Sequence, residues 1–338
     1  PNNNDRWWDG APLMKALQFM SPNVMAVNNI DIPTIAEDEV LLASRSVGIC
    51  HSDIELLEGR YIIPFKYPVI PGHEWSAEVM EVGKKVTTLK AGDRVVGECV
   101  IGQEHFGFSI SGAMADFFIA KADWLHKIPE NLSYTQGALV EPFSCGYYAT
   151  VRADNLDGSD TVVVFGAGPI GLGVIAASAA KRARVIVVEP SAARAQVALS
   201  LGAEDVVDPT KGSVADQVMA LTQGQGASVV IDASGRPDAM ASTLEVAGFH
   251  ARVVIIGISV GGSAPTQMGL IQSKELQVRG IIGSPGVWPQ TIKFLARTNI
   301  DLSKLVTSSF DIAEANLAYD KVLTDKSQIK VHVTNSKS

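Results

Sequence analysis

The chain has 338 residues, enough for two domains that each bury a core, and 46% of them are hydrophobic and 19% charged, as in a globular protein. The formal net charge is −8, and no block of lysine and arginine is interleaved with aromatic residues, so we expect no nucleic-acid partner. Three cysteines, at positions 50, 99 and 145, are too few for a disulfide framework and favour a reducing, cytoplasmic location.

The N-terminal stretch PNNNDRWWDGAPL has neither the basic start nor the apolar centre of a signal peptide. Met14 begins MKALQF, which is typical of a natural start followed by a strand. We therefore interpret residues 1–13 as an N-terminal extension or an expression remnant, and we assign them no function.

The central part of the chain divides into two patterns. Up to about residue 130, short β-like runs at 40–49, 76–82 and 93–101 alternate with turn signals, which predicts an all-β region. From about Asp160, apolar runs such as RVIVVEP and ASVVIDASG alternate with helical stretches of ten or more residues. That alternation predicts a parallel sheet covered on both faces by helices.

The tail after about Pro289 shows two helical patterns and a closing strand at 328–334. It has no sheet of its own, so we expect it to pack back on the N-terminal part.

One uncharged run, Thr161 to Ala180, is about long enough to span a bilayer. Its four glycines and one proline are clustered in the first half, which suits a buried strand, a tight turn and a helix rather than a spanning helix. We therefore expect no membrane segment.

The segment VVVFGAGPIGLG contains G-x-G-x-x-G after a predicted strand and at the start of a predicted helix, which is the context of a dinucleotide-binding loop. The first glycine permits a tight turn, the second lets the backbone approach a pyrophosphate, and the third allows close helix–strand packing. The helix N-terminus offers free amides to the phosphates. The candidate loop residues are Gly166, Gly168, Pro169, Ile170 and Gly171.

The next predicted strand ends at Glu189, whose carboxylate can accept hydrogen bonds from both adenosine ribose hydroxyls and would repel a 2′-phosphate. This favours NAD over NADP, although Arg194 on the following helix leaves room for NADP. The alternative is that the glycines form ordinary turns and Glu189 is a solvated strand end.

Four further residues form a candidate metal site: Cys50, His73, Glu74 and Glu141. One thiolate, one imidazole and two carboxylates suit zinc, and ligands drawn from distant segments are more typical of a catalytic site than of a structural clip. Asp53 is placed to accept the other N–H of His73. Ordinary burial of Cys50 and ordinary solvation of the other three remain open on spacing alone.

Six motifs then follow one another along the chain: GICHSD, YPVIPGHE, KAGDRV, GALVEPFSCG, VFGAGPIGLG and VRGIIGS. On these motifs the chain resembles the zinc-dependent medium-chain dehydrogenase/reductase family, of the alcohol, sorbitol and threonine dehydrogenase type. The resemblance implies an α/β plus β fold. A GroES-like β-barrel catalytic domain would comprise residues 14–145 and 290–338, with a doubly wound Rossmann NAD-binding domain, residues 146–289, inserted between them and an active-site cleft between the two.

The resemblance also implies roles for individual residues. Cys50, His73 and Glu74 match the zinc ligands of polyol dehydrogenases, and Glu141 takes a fourth, exchangeable place, where it either binds the metal or holds a water beside it. Ser52 matches the hydroxyl that hydrogen-bonds the reacting alcohol, and His51 matches a histidine that passes its proton onward.

Departures from the family pattern limit the inference. The four clustered cysteines of a structural zinc site are missing, since only Cys99 lies in that lobe, so we expect one catalytic zinc and no structural zinc. Gly283 and Ser284 stand where sorbitol dehydrogenases have an Arg–Tyr pair, which makes sorbitol itself a doubtful substrate. The aromatic side chain that those enzymes place after the cysteine motif is replaced at Leu56–Leu57.

The prediction is an NAD-dependent zinc dehydrogenase acting on a secondary alcohol, such as a polyol, sugar, cyclitol or amino alcohol. Two alternatives stay open: a zinc-free NADPH-dependent quinone or enone reductase of the same fold, and a non-catalytic nucleotide-binding protein. The family commonly forms homodimers or homotetramers through Rossmann-sheet edges, and residues 251–265 are the predicted edge.

Overall fold

The computed structural model describes residues 13–257 and 261–335. The chain forms two compact units: the first ends at Glu141 and resumes at Val306, and the second extends from Pro142 to Leu305. Each has its own hydrophobic core.

The strands are numbered along the chain. They are β1 (Leu13–Ser21), β2 (Val24–Asp31), β3 (Glu39–Gly48), β4 (Glu74–Val82), β5 (Arg94–Gly97), β6 (Val100–Ile101), β7 (Glu104–His105), β8 (Phe117–Lys121), β9 (Leu125–Lys127), β10 (Thr161–Phe165), β11 (Arg184–Val188), β12 (Asp205–Val207), β13 (Ala227–Asp232), β14 (Ala247–Ile255), β15 (Gln277–Gly280), β16 (Val306–Asp311) and β17 (Lys330–Thr334).

The α-helices follow the same numbering. They are α1 (His51–Leu57), α2 (Tyr134–Ala138), α3 (Val140–Arg152), α4 (Pro169–Ala180), α5 (Ala192–Ser200), α6 (Val214–Leu221), α7 (Pro237–Val246), α8 (Gly269–Ser273), α9 (Trp288–Thr298) and α10 (Ala315–Thr324).

The first unit is built on a seven-stranded sheet in the order β16-β17-β3-β4-β5-β9, with β8 also paired to β3. The long strand β3 is buried along most of its length because it pairs with β4, β8 and β17. The C-terminal strand β17 lies antiparallel to β3. The expectation that the tail packs back on the N-terminal part is confirmed from β16 onward.

The second unit contains a six-stranded parallel sheet in the order β12-β11-β10-β13-β14-β15. The order is that of a doubly wound dinucleotide-binding sheet. Strands β10, β11 and β13 are almost wholly apolar and buried, as parallel strands between two helical layers must be. The predicted fold class is confirmed.

The second boundary between the units differs from the prediction. Residues 290–305, predicted to join the first unit, belong to the second. Helix α9 is strongly amphipathic, and its Phe294 packs against Tyr147 of α3 at a ring-centroid distance of 4.9 Å. Trp288 of α9 donates a hydrogen bond to Ser284. These contacts with residues of the second unit hold α9 in that unit. The first boundary falls at 141/142 rather than 145/146.

Two strand predictions were also wrong. The run 93–101 forms two strands, β5 and β6, interrupted at Glu98 and Cys99. Strand β14 within the predicted sheet edge is internal, because β15 pairs with it on the side away from β13, and residues 258–260 of that edge lie outside the described residues.

The uncharged run 161–180 forms β10, the glycine-rich turn and α4. Of the residues that the structure describes, none forms a helix long and apolar enough to cross a membrane.

Candidate functional site

Cys50, His73 and Glu74 come together at one end of two neighbouring strands. Gly48, the last residue of β3, pairs with Glu74, the first residue of β4. Cys50 follows as the N-cap of α1, and His73 immediately precedes Glu74. One donor atom from each of the three side chains lies within 4.8 Å of the others, which makes them a candidate metal centre.

Asp53 orients two of these residues. One of its carboxylate oxygens accepts a hydrogen bond from the Cys50 backbone N–H at 2.9 Å, and the other lies 3.4 Å from Nδ1 of His73. Because Asp53 is fully buried, this arrangement fixes both the start of α1 and the imidazole ring. The sequence predicted a contact between Asp53 and His73, and because the contact is at Nδ1, it leaves Nε2 of His73 as the nitrogen available to a metal.

The surroundings of His73 favour a positive charge on its ring. Burial opposes a charge on His73, but the Asp53 carboxylate outweighs it and raises the pKa of the imidazole well above 6.5. Surroundings that favour a proton on this ring also favour a cation beside it.

Lys330 of β17 supplies the counter-charge. Its ammonium group donates to both carboxylate oxygens of Glu74, at 2.7 and 3.0 Å, and to the carbonyl oxygen of Ile49 at 3.0 Å. Although burial opposes its charge, Glu74 and Cys50 raise the pKa of Lys330. The Glu74 carboxylate is therefore held in an ion pair as well as beside Cys50 and His73.

Glu141 lies in the first turn of α3 and is not one of the three residues grouped within 4.8 Å. Burial raises its pKa to about 7; Glu74 and Asp53 add to this, while His73 and Lys330 oppose it. The centre is thus close enough for its charges to act on Glu141.

Cys99 is a second thiol near the centre. Burial raises its pKa to about 12, and its Sγ donates to the carbonyl oxygen of Phe106 at 3.7 Å. It is therefore a neutral thiol, unsuited to bind a metal as a thiolate.

The two predicted proton-transfer residues lie in the first turn of α1, directly after Cys50. The side chain of Ser52 is half-buried, whereas that of His51 is 78% exposed and has its Nε2 3.9 Å from Oε1 of Glu55. The helix therefore carries adjacent hydroxyl and imidazole groups from the candidate centre to the surface.

The donor set fits zinc. A thiolate, an imidazole and a carboxylate are ligands that zinc prefers. Zinc-bound histidines usually have a carboxylate or carbonyl oxygen beside their other ring nitrogen, and Asp53 takes that place beside His73.

The glycine-rich loop has the geometry that its sequence predicted. Gly166 has φ 94°, and a Cβ on Gly171 would lie 2.0 Å from the carbonyl oxygen of Gly166, so no side chain fits there. Gly168 is the N-cap of α4, Pro169 is its first residue and Ile170 follows. The loop and helix therefore present backbone N–H groups at the carboxyl end of β10.

Glu189 follows β11 and is held by two backbone groups. Its Oε2 accepts from Ala167 N–H at 2.8 Å, and its Oε1 accepts from Ser191 N–H at 3.0 Å. Each oxygen keeps a second acceptor site. A cavity of about 650 Å³ lies beside it, with Gly166, Gly168 and Arg194 in its wall. The structure thus brings four of the predicted cofactor residues, Gly166, Gly168, Glu189 and Arg194, to one cavity, whereas Pro169, Ile170 and Gly171 are not among its lining residues.

Sequence reasoning missed Lys330, and it missed Tyr61 and Phe108, whose rings stack on one another beside His73. A lysine inside the apolar run QIKVHVT is a usable signal, because a charge at an inward strand position needs a partner. No comparable signal marked Tyr61 or Phe108.

The chain matches two domain families. Residues 36–130 match the alcohol dehydrogenase GroES-like domain, and residues 169–297 match the zinc-binding dehydrogenase domain.

Characterised relatives match almost the full length. The chain is 31% identical to a D-arabitol-phosphate dehydrogenase of Enterococcus avium, covering 96% of this chain and 98% of the relative. It is 33% identical to an (R,R)-butanediol dehydrogenase of Bacillus subtilis, covering 95% of this chain and 99% of the relative.

Solved structures show the same fold. A 2R,3R-butanediol dehydrogenase from Bacillus subtilis has a TM-score of 0.88 and 30% identity, covering 96% of this chain and all of that one. A zinc-binding dehydrogenase from Sinorhizobium meliloti, bound to NADP, has a TM-score of 0.87 and 26% identity, covering 95% and 99%. An alcohol dehydrogenase from E. coli CFT073, complexed with NADH, has a TM-score of 0.87 and 25% identity, covering 96% and 99%.

These similarities agree with the assembled donor set and the glycine-rich loop. The chain belongs to the zinc-dependent medium-chain alcohol dehydrogenase family and is an alcohol or polyol oxidoreductase that uses zinc and a nicotinamide cofactor.

Proposed function

We propose that the chain is an NAD-dependent dehydrogenase that interconverts a secondary alcohol and its ketone in a polyol, sugar, cyclitol or amino alcohol. The observation that carries the proposal is the convergence of Cys50, His73 and Glu74 within 4.8 Å, with His73 and Glu74 buried. An enone or quinone reductase has no need of these ligands, which favours alcohol chemistry.

Cys50, His73 and Glu74 would hold the zinc, with Glu141 as the fourth, exchangeable ligand. When bound there, zinc supplies Lewis-acid polarisation of a substrate oxygen. Asp53 keeps the His73 ring oriented, and Lys330 balances part of the negative charge that the carboxylates contribute. We propose one zinc per chain, because the lobe that holds a structural zinc in relatives is reduced here to the β6–β7 hairpin with Cys99 as its one cysteine.

Ser52 and His51 would move the proton. The Ser52 hydroxyl is the nearest such group in sequence to Cys50 and would accept a hydrogen bond from the reacting hydroxyl. His51, largely exposed one residue earlier on the same helical turn, would pass the proton to water.

NAD is the proposed cofactor, and when bound it would supply the hydride acceptor for oxidation of the carbinol carbon. Glu189 supports this choice, because two backbone N–H groups fix its carboxylate in the wall of the cavity. A fixed negative charge there binds ribose hydroxyls and opposes a 2′-phosphate. Arg194 in the same wall is the feature that favours NADP.

We further propose a homodimer or homotetramer formed through the outer edge of β15. Among the described strands, β15 pairs only with β14, and Val278 and Ile282 are exposed beside this edge. Unpaired strand edges with apolar side chains favour pairing with a second copy. A monomeric mass in light scattering would contradict this. A cytoplasmic location stays a prediction from the cysteine content.

Zinc content tests the metal proposal. Protein purified without added metal or chelator should contain about one zinc per chain by elemental analysis, and Cys50→Ser should lose most of it. Cys145→Ser is the matched control and should retain it, since Cys145 is not one of the three residues grouped within 4.8 Å. A content near two would show a second site, and a content near zero that added zinc does not restore would contradict the assignment.

Cofactor preference tests the rest. For a panel of polyols and cyclitols, the rate of oxidation should be higher with NAD than with NADP. Glu189→Gln should reduce the ratio of the NAD rate to the NADP rate. Activity with NADP alone, or on no alcohol at all, would overturn the proposal.

A further inference from the structure

An aromatic wall lies beside the metal centre. Helix α1, capped by Cys50, ends at Leu57, and Tyr61 follows after a turn at Gly59, where φ is 78°. The ring of Tyr61 stacks on that of Phe108 with centroids 4.2 Å apart and an angle of 15°. Phe108 is buried, and its centroid lies 5.0 Å from that of His73. The aromatic wall (Tyr61, Phe108 and His73) thus leads from the candidate ligand His73 outward.

The hydroxyl of Tyr61 has no structural task. It forms no hydrogen bond with any residue that the structure describes, although the ring is half-buried. Tyr67, in the same loop, is the contrast, because its hydroxyl donates to the carbonyl oxygen of Leu56 at 2.7 Å. A phenol placed for packing alone needs no hydroxyl, so the group on Tyr61 is available to a ligand.

The stacking on Phe108 places Tyr61 beside His73, and its surroundings affect the phenol. Burial raises its pKa to about 12, Cys99 and Cys50 add to this, and His73 opposes it. The phenol is therefore neutral at physiological pH and can both donate and accept a hydrogen bond. The two leucines at 56 and 57, where related sorbitol dehydrogenases carry an aromatic side chain, are instead buried in the core.

The geometry points to Tyr61 as a specificity-determining residue: its hydroxyl binds a second hydroxyl of the substrate, on the carbon next to the one that is oxidised. The preferred substrates are then vicinal diols, while Phe108 covers the apolar side of the same carbon chain. This inference rests on the proposed dehydrogenase function and adds the substrate class.

The experiment compares 2,3-butanediol with 2-butanol, which share a carbon skeleton and differ by one hydroxyl. In the zinc-loaded enzyme, Tyr61→Phe keeps the ring stacked on Phe108 and removes only the hydroxyl. We expect kcat/KM for the diol to fall about tenfold, mainly through KM, and kcat/KM for 2-butanol to stay the same. Tyr67→Phe is the control, and it should leave the ratio of the two substrates unchanged.

Three results would overturn the inference: an unchanged ratio in Tyr61→Phe, an equal loss on both alcohols, or the same change of ratio in Tyr67→Phe. Zinc content and thermal midpoint, measured on each variant, separate loss of folding from loss of recognition. The proposed function fails only if the wild-type enzyme oxidises no alcohol of the polyol and cyclitol panel; where it oxidises neither of these two alcohols, binding replaces turnover as the readout. Calorimetric affinities of both proteins for 2,3-butanediol then decide the role of Tyr61, since equal affinities or no binding overturn it.

Discussion

The metal centre of the first unit and the glycine-rich loop of the second place polar groups by different physical means. The loop uses backbone geometry within one short stretch, where Gly166 and Gly171 approach so closely that no side chain fits. The centre uses side-chain charges from separate strands and a helix, each held by an oppositely charged or hydrogen-bonding partner. Substitutions should therefore act electrostatically in the centre and sterically in the loop.

The difference also appears in how each site treats a buried carboxylate. Glu189 beside the loop is held by two neutral backbone N–H groups. Glu74 in the centre is held by the ammonium of Lys330, from a strand 256 residues later in the chain. Breaking a buried ion pair by removing one partner leaves an uncompensated charge, which is far costlier than losing a neutral hydrogen bond.

The largest expected effect is therefore that of Lys330→Met. With zinc removed by a chelator, we expect the free energy of unfolding to fall by about 3–5 kcal/mol, because the Glu74 carboxylate stays buried without its counter-charge. Saturating zinc should reduce the loss, since the cation takes over part of the charge balance. Urea unfolding with and without zinc measures both values.

Lys321→Met is the matched control, because Lys321 pairs with Asp325 at 2.9 Å at the surface. Its loss should stay below about 1 kcal/mol and should not depend on zinc. If the free energy of unfolding falls equally in the two variants, burial of the Lys330–Glu74 pair does not increase its contribution to stability.

Next in size is Gly171→Ala in the loop. The new Cβ would lie 2.0 Å from the backbone carbonyl oxygen of Gly166, so the turn must shift. We expect the free energy of unfolding to fall by about 1–3 kcal/mol and NADH to bind more weakly. Gly168→Ala is the comparison, since its Cβ would lie 3.6 Å from Nη1 of Arg194 and faces the cavity. Its stability should change by less than about 1 kcal/mol while NADH binding still weakens.

Thermal or urea unfolding and NADH fluorescence titration separate the two effects. If Gly171→Ala is as stable as Gly168→Ala, the close approach of Gly171 to Gly166 does not require glycine at position 171.

What the sequence could predict follows from the same contrast. The loop is contiguous, so its glycines, its helix start and Glu189 were all recognisable from spacing. The pairing of β3 with β4 brings Cys50 to His73 and Glu74, and the motif order indicated these three residues before the sheet register was known. The parallel strand order followed from the alternation of apolar runs and helices.

The remaining features depend on packing between distant segments. Lys330 and Tyr61 acquire their roles only when β17 lies beside β3 and the loop after α1 stacks on Phe108. The domain boundary near residue 290 was wrong because α9 has an apolar face that either unit could bury, and the ring contacts of Phe294 decide between them. A periodic pattern shows that a helix buries a face but does not say against what.

The smallest expected effect concerns the cofactor cavity, where Arg236 and Asp238 form an exposed pair. Nε and Nη2 of Arg236 each lie 3.1 Å from one oxygen of Asp238, and both residues line the cavity beside Glu189. Asp238→Asn removes the charge that neutralises this guanidinium, so we expect NADPH to bind a few-fold more tightly and NADH to be unaffected.

Fluorescence titration gives both affinities, and Glu275→Gln, which removes a surface carboxylate facing His250, is the control. NADPH should still bind less tightly than NADH, because the fixed carboxylate of Glu189 remains. An equal change for both cofactors would mean that Arg236 does not face the 2′-position, and it would leave Glu189 and Arg194 as the residues that set the preference.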